Sequence, residues 1–116
     1  MKIDITERTL KFAVEIIKLS NKLPGNPSGF AIANQIVRSG TSIGANIQEA
    51  QDAISKKEFI HSMNIALKET KETNFWLEVI RQSNILDQKD LENILKEICE
   101  IIKILTTIVK KAKRNK

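Results

Sequence analysis

Four stretches of this 116-residue chain carry apolar residues at alternating steps of three and four, the period at which one face of an α-helix turns toward a core. In the first, Asp4 and Glu7 stand at capping-box spacing before two stripes, one through Leu10, Val14 and Ile17 and one through Phe12, Ile16 and Leu19. A helix over 5–21 follows, with the Leu10 stripe read as core-facing and the Phe12 stripe as a second line. Pro24, Gly25, Asn26, Pro27, Ser28 and Gly29 then form the clear breaker cluster.

The second stretch predicts a helix over 28–52 with a seam through Phe30, Ala33, Val37, Gly40, Gly44 and Ile47. Each interior glycine costs about 1 kcal/mol relative to alanine in a helix, so something must compensate at Gly40 and Gly44. Two outcomes are open: close approach of a neighbouring helix across Gly40, Gly44 and Ala45, or a local break.

Ser55 and Glu58 form another capping box, opening a helix over 55–84 with the seam Phe59, Met63, Ala66, Thr70, Thr73, Leu77 and Ile80. Asp87 is read as the cap of a fourth helix over 87–113, seamed by Leu91, Ile94, Ile98, Ile101, Leu105, Ile108 and Ala112. No strand pattern or tandem repeat interrupts the series. Short connections force successive helices to run in opposite directions, so the expected fold is all-α: one domain over 1–116, an antiparallel up-and-down four-helix bundle. Further apolar positions at Ile65, Trp76, Val79 and Ile104 make either wide core stripes or a subunit interface.

Composition adds little to this picture, but charge adds something. Hydrophobic residues make up 41% of the chain, enough for a core without staples. The lone Cys99 excludes an internal disulfide framework, lysines interrupt every long apolar run, and the N-terminus lacks the zones of a signal peptide. A cytoplasmic protein with no membrane partner is expected. The net charge of +5 comes from Lys110, Lys111, Lys113, Arg114 and Lys116; without them basic and acidic residues balance at 14 each. The body therefore reads as neutral and the basic character as a tail over 110–116, suited either to polyphosphate or to the negative end of a helix dipole.

Three constellations suggest chemistry. Gly40 to Gly44 spell the G-x-S-x-G of a nucleophile elbow, followed by Asp52 and His61, but that motif needs a strand-to-helix turn that a strandless chain cannot supply. Glu58 and His61 have the Glu-x-x-His spacing of di-iron bundles, yet one histidine cannot furnish the usual pair of motifs. Neither a metal nor a cofactor is expected, and no catalytic residue is assigned. The third group, Asn46 and Glu49 with Lys68, Glu69 and Glu72, could meet across two antiparallel helices as a network fixing register or lining an interface, or form an ordinary wet face.

The segment QIVRSGTSIGANIQEA, from Gln35 to Ala50, followed by SKKEFIHSMNIALKETKETNFWL, from Ser55 to Leu77, resembles the four-helix-bundle proteins encoded in 23S rRNA intervening sequences. The resemblance rests on Gln35 and Arg38 before a small-residue stretch, on the Ser42, Ile43, Asn46, Ile47 and Glu49 core, and on Ala66 to Glu69 and Glu72 to Leu77. It implies a ring-shaped homo-oligomer, typically a pentamer, without established enzymatic activity. Accessory proteins of diversity-generating retroelements share this look and are thought to bind nucleic acid and a reverse transcriptase through basic surfaces. With a neutral body, such a role in this chain would fall on the tail and on Arg38. The expected partners are other copies of the chain, with RNA or DNA at the tail; the alternative is a protein-binding adaptor with an inert tail.

Overall fold

The computed structural model describes residues 4–115, and these form four α-helices with no strand among them: α1 (Ile5–Ser20), α2 (Pro27–Gln51), α3 (Lys56–Ser83) and α4 (Gln88–Arg114). The helices neighbour one another in chain order. α2 packs against α1 and α3, α3 against α4, and α4 meets α1 along a shorter line, while the diagonal pairs make no close backbone approach.

Local chemistry accounts for the helix ends. The Asp4 carboxylate accepts from Thr6 N, rather than from Glu7 N as a capping box would have it. Asn26 accepts from Gly29 N, with Pro27 in the first helical position where a missing N–H is harmless. Gly29 thus belongs to the first turn of α2, not to the loop; a Cβ there would fall on the Pro24 carbonyl oxygen. Ser55 accepts from Glu58 N as its spacing predicts, and Asn84 closes α3 in the left-handed region at φ 55°. Asp87 occupies the N-cap position of α4, but its side chain makes no capping hydrogen bond.

One contiguous core joins Phe12, Ile16, Leu19, Ile36, Ile43, Ile47, Met63, Leu77, Ile80, Leu91, Ile98, Ile101 and Leu105. The seams of α3 and α4 follow the sequence closely, except that Phe59, Ile108 and Ala112 are only half-buried and Val109 is buried. Two expectations are corrected. In α1 the stripes exchange roles: Phe12, Ile16 and Leu19 are buried, while Leu10, Val14 and Ile17 face outward. In α2 the seam runs through Ile36, Ser39, Gly40, Ile43, Ile47 and Ala50, leaving Phe30 63% exposed and Ala33 and Val37 at the margin.

The reason lies between α1 and α2. α2 runs unbroken through Gly40 and Gly44, and a Cβ on Gly40 would stand 2.9 Å from Ile16 Cγ1. One on Gly44 would stand 3.3 Å from Thr9 Oγ1. Close approach therefore offsets the low helix propensity of both glycines, and it requires α1 to present Thr9 and Ile16. Ala45, expected to share this contact, points to solvent.

Candidate functional site

Polar groups inside the bundle are few and mostly satisfied by their own helices. Thr9 and Thr70 donate to the carbonyls four residues earlier, Ile5 and Ala66. The buried Ser39 and Thr73 link α2 to α3 through a 2.9 Å hydrogen bond between their hydroxyls. With Thr73 donating to the Glu69 carbonyl at 2.8 Å, its oxygen accepts from Ser39. These hydroxyls fix how the two helices meet and offer no reactive group to solvent.

Beside that contact lies the main surface network. The Arg38 guanidinium donates to Gln35, to Glu69 at 3.3 Å and to Glu72, and Trp76 Nε1 donates to Glu72 at 3.1 Å. Of the five polar residues expected to converge, only Glu69 and Glu72 do so, and they gather on Arg38. Asn46 turns its amide to the Ser42 carbonyl of its own helix, Lys68 is exposed without an ion-pair partner among the described residues, and Glu49 lies in a separate groove. Lys68 sits on the outer side of α3, roughly 100° around the helix from Glu69, so the two cannot share one partner on α2.

That groove, between the C-terminal half of α2 and the start of α3, is lined by Glu49, Asp52, Glu58, His61, Lys57 and Ser62. It brings together the Glu-x-x-His pair and two further carboxylates. The described residues nevertheless contain no group of three or more such side chains placed to hold a metal ion. Ser42 is not part of the groove, and its hydroxyl donates to the Arg38 carbonyl at 2.7 Å. The G-x-S-x-G pentapeptide is thus one and a half turns of ordinary helix.

The basic residues at the end of the chain are helical. α4 extends to Arg114, so Lys110, Lys111, Lys113 and Arg114 project from its last two turns, all exposed; Lys116 lies outside the described residues. The first turn of α3 stands beside them, with Lys56 and Lys57 sharing a shallow groove with Ile60, Ala112 and Lys113. Sequence reading missed this pair because they are more than fifty positions away along the chain; only the packing of α3 against α4 makes them neighbours. Also missed was the Arg8 link from α1 to α4, whose Nε and Nη2 donate to Glu97 at 2.6 and 2.9 Å. That hydrogen bond and the adjacent Glu97 charge raise the Arg8 pKa above its ordinary value.

The outer surface carries apolar side chains beyond the core: Leu10, Val14 and Ile17 on α1, Phe30 on α2, Ile54 between α2 and α3, and Phe75 on α3. Phe75 meets Trp76 edge to face, with ring centroids 5.1 Å apart. No helix in the described residues is long and apolar enough to cross a membrane.

The described residues are thus all-α, four helices with a packed apolar core and a basic end. The chain belongs to the 23S rRNA-intervening sequence protein family, whose model matches residues 1–107. A crystal structure of a protein of unknown function from the S23 ribosomal protein family of Bacteroides thetaiotaomicron superposes with a TM-score of 0.86 at 42% identity, covering 92% of this chain and 99% of that one. No curated protein matches the chain.

Proposed function

We propose that this chain is a non-enzymatic, antiparallel up-and-down bundle that assembles with copies of itself and binds nucleic acid at its basic end. The antiparallel course is supported by residue pairings: Gly40 lies against Ile16 and Gly44 against Thr9, while Arg8 reaches Glu97 and Lys22 reaches Asp90. In each set one helix is read upward as its neighbour is read downward. Self-assembly is supported by the outward stripe of Leu10, Val14 and Ile17, apolar surface that a solitary bundle has no reason to expose in a row. The family resemblance implies a ring of five copies.

The observation that carries the nucleic-acid reading is the meeting of Lys56, Lys57 and Lys113 at one end of the molecule, beside the exposed Lys110, Lys111 and Arg114. None of the six forms an ion pair among the described residues, so their charge is available to phosphate. Arg38 drops out of this site because Glu69 and Glu72 already hold its guanidinium. Several copies in one assembly would raise the effective concentration of such ends and compensate for a weak single site. The exposed Phe75 against Trp76 favours a second reading, a protein-binding adaptor in which this aromatic pair is the contact.

Light scattering behind size exclusion tests the assembly: the chain elutes as an oligomer, and Leu10→Glu with Val14→Glu releases a folded, helical monomer. A native chain that stays monomeric at micromolar concentration refutes it. Fluorescence anisotropy with a structured RNA and a DNA duplex tests the binding. Affinity that falls steeply with salt supports it, and no binding at low salt hands the lead to the adaptor.

A further inference from the structure

The charged side chains of α1 lie toward α4. Arg8, Lys11 and Glu15 line one groove between the two helices, Glu15 and Lys18 line another, and Glu7 stands one turn before Lys11. At about 100° of rotation per residue, these positions fall between α4 and the exposed stripe of Leu10, Val14 and Ile17. The stripe therefore borders α2.

α2 continues the same face. Arg38 and Glu49 are its only charged residues, and both turn toward α3: Arg38 is held by Glu69 and Glu72, and Glu49 lines the α2/α3 groove. On the side toward α1, α2 presents Phe30, Val37 and Thr41, and Thr41 spends its hydroxyl on the Val37 carbonyl at 2.7 Å. Gly40 and Gly44 bring the two helices close enough to make one continuous surface. In a chain of which 28% is charged, a two-helix face without charge marks a contact surface. The shorter helix is about 24 Å long, so the face spans several hundred Å², the scale that a specific contact buries on each partner.

A second apolar patch lies on α3. Phe75 is 58% exposed, with Trp76 and Val79 half-buried beside it. The polar groups around it are spent within the chain: the Trp76 indole N–H on Glu72, and Glu78 on Arg81. Lys68 and Lys71 flank the edge, and their long side chains carry the charge out to a wet rim.

We infer that these two surfaces meet head to tail between neighbouring copies, the α1/α2 face of one receiving the Phe75 edge of the next. This rests on the self-assembly reading above and names its contact. A face without charge calls for an apolar occupant, and the Phe75 edge supplies an aromatic anchor with a polar rim. Pairing of the α1/α2 face with itself would leave Phe75 in water, whereas the head-to-tail contact covers both patches. The two surfaces lie on adjacent sides of the bundle with α2 shared between them, roughly a right angle or somewhat more apart. Contacts at that angle between copies with parallel axes close a small ring, since about 90° is needed for four copies and about 108° for five. The aromatic pair is then covered by a neighbouring copy rather than by a foreign protein.

The test is light scattering on full-length variants, alone and mixed. Leu10→Glu with Val14→Glu spoils the α1/α2 face, and Phe75→Glu spoils the α3 edge. All three residues are exposed, so circular dichroism should show unchanged helicity. Each variant alone is expected to be a monomer. Their equimolar mixture is expected to double in mass and grow no further, because each supplies the surface that the other has lost. A Phe75→Glu chain that assembles like the native one overturns the inference while leaving self-assembly in place. So does a mixture that stays monomeric at millimolar concentration while the native chain assembles. A native chain that is itself monomeric overturns both readings.

Discussion

Gly40 leaves room for Ile16 and for nothing more: a Cβ on the glycine would lie 2.9 Å from both Cγ1 and Cγ2 of the isoleucine. Ile16 is itself fully buried, so it has no free space into which to retreat. Gly40→Ala gains about 1 kcal/mol of helix propensity and loses more to overpacking, commonly 1–3 kcal/mol. A net destabilisation of about 1 kcal/mol is expected in urea denaturation, and a stabilised variant would show that α1 yields easily. At Gly44 the nearest atoms, Thr9 Oγ1 and O, would lie at 3.3 and 3.4 Å, so Gly44→Ala should be close to neutral while Gly44→Leu should be clearly destabilising.

The Ser39 and Thr73 hydroxyls form a buried polar contact between α2 and α3. Thr73→Val leaves Ser39 with only the Ile36 carbonyl at 3.5 Å, a poor bond, and should cost about 1–2 kcal/mol. Adding Ser39→Ala removes the orphaned hydroxyl as well. The double variant is therefore expected to be more stable than Thr73→Val alone, and thermal melts of the two decide the matter.

Arg8 and Glu97 join the helix pair with the shortest line of contact. Their two-pronged geometry and partial burial place the pair at the upper end of surface ion pairs, about 1 kcal/mol of coupling. A double-mutant cycle with Arg8→Ala and Glu97→Ala measures that coupling, and it should shrink in high salt. Coupling indistinguishable from zero at low salt would mean that α1 is held by Phe12, Ile16 and Leu19 alone.

Glu78 accepts from Arg81 and Gln82, and the Arg81 hydrogen bond is the main reason its carboxyl sits below the usual glutamate range. A depressed folded pKa means that the contribution is present above the unfolded value, roughly 4.3, and is lost as pH falls through the folded value. Glu78→Gln should therefore lower stability slightly at neutral pH and converge with the native chain in acid. Because the pair is largely solvated, the difference should be small; a gap that widens toward low pH would contradict it.

Much of the fold was legible from particular residues. Ser55 and Glu58 mark the start of α3, the prolines around Asn26 mark the α1–α2 connection, and the seam expected from Met63 to Ile80 is the one that is buried. The order of elements at Gln35, Arg38 and Ser42 to Glu49, then Ala66 to Leu77, was enough to indicate the family.

What the sequence by itself determined is the number of helices, their approximate ends and the family, since period, caps and breakers are local properties of the chain. Tertiary structure decided which stripe of α1 is buried. Leu10, Val14 and Ile17 have the same period as Phe12, Ile16 and Leu19, and only the close fit of Ile16 against Gly40 and Thr9 against Gly44 selects between them. It decided as well that Glu69 and Glu72 serve Arg38 rather than Lys68, and that Lys56 and Lys57 stand beside Lys113. Those relationships depend on the distance between helices and their rotation about their axes, which the packing of side chains sets and no single helix carries alone.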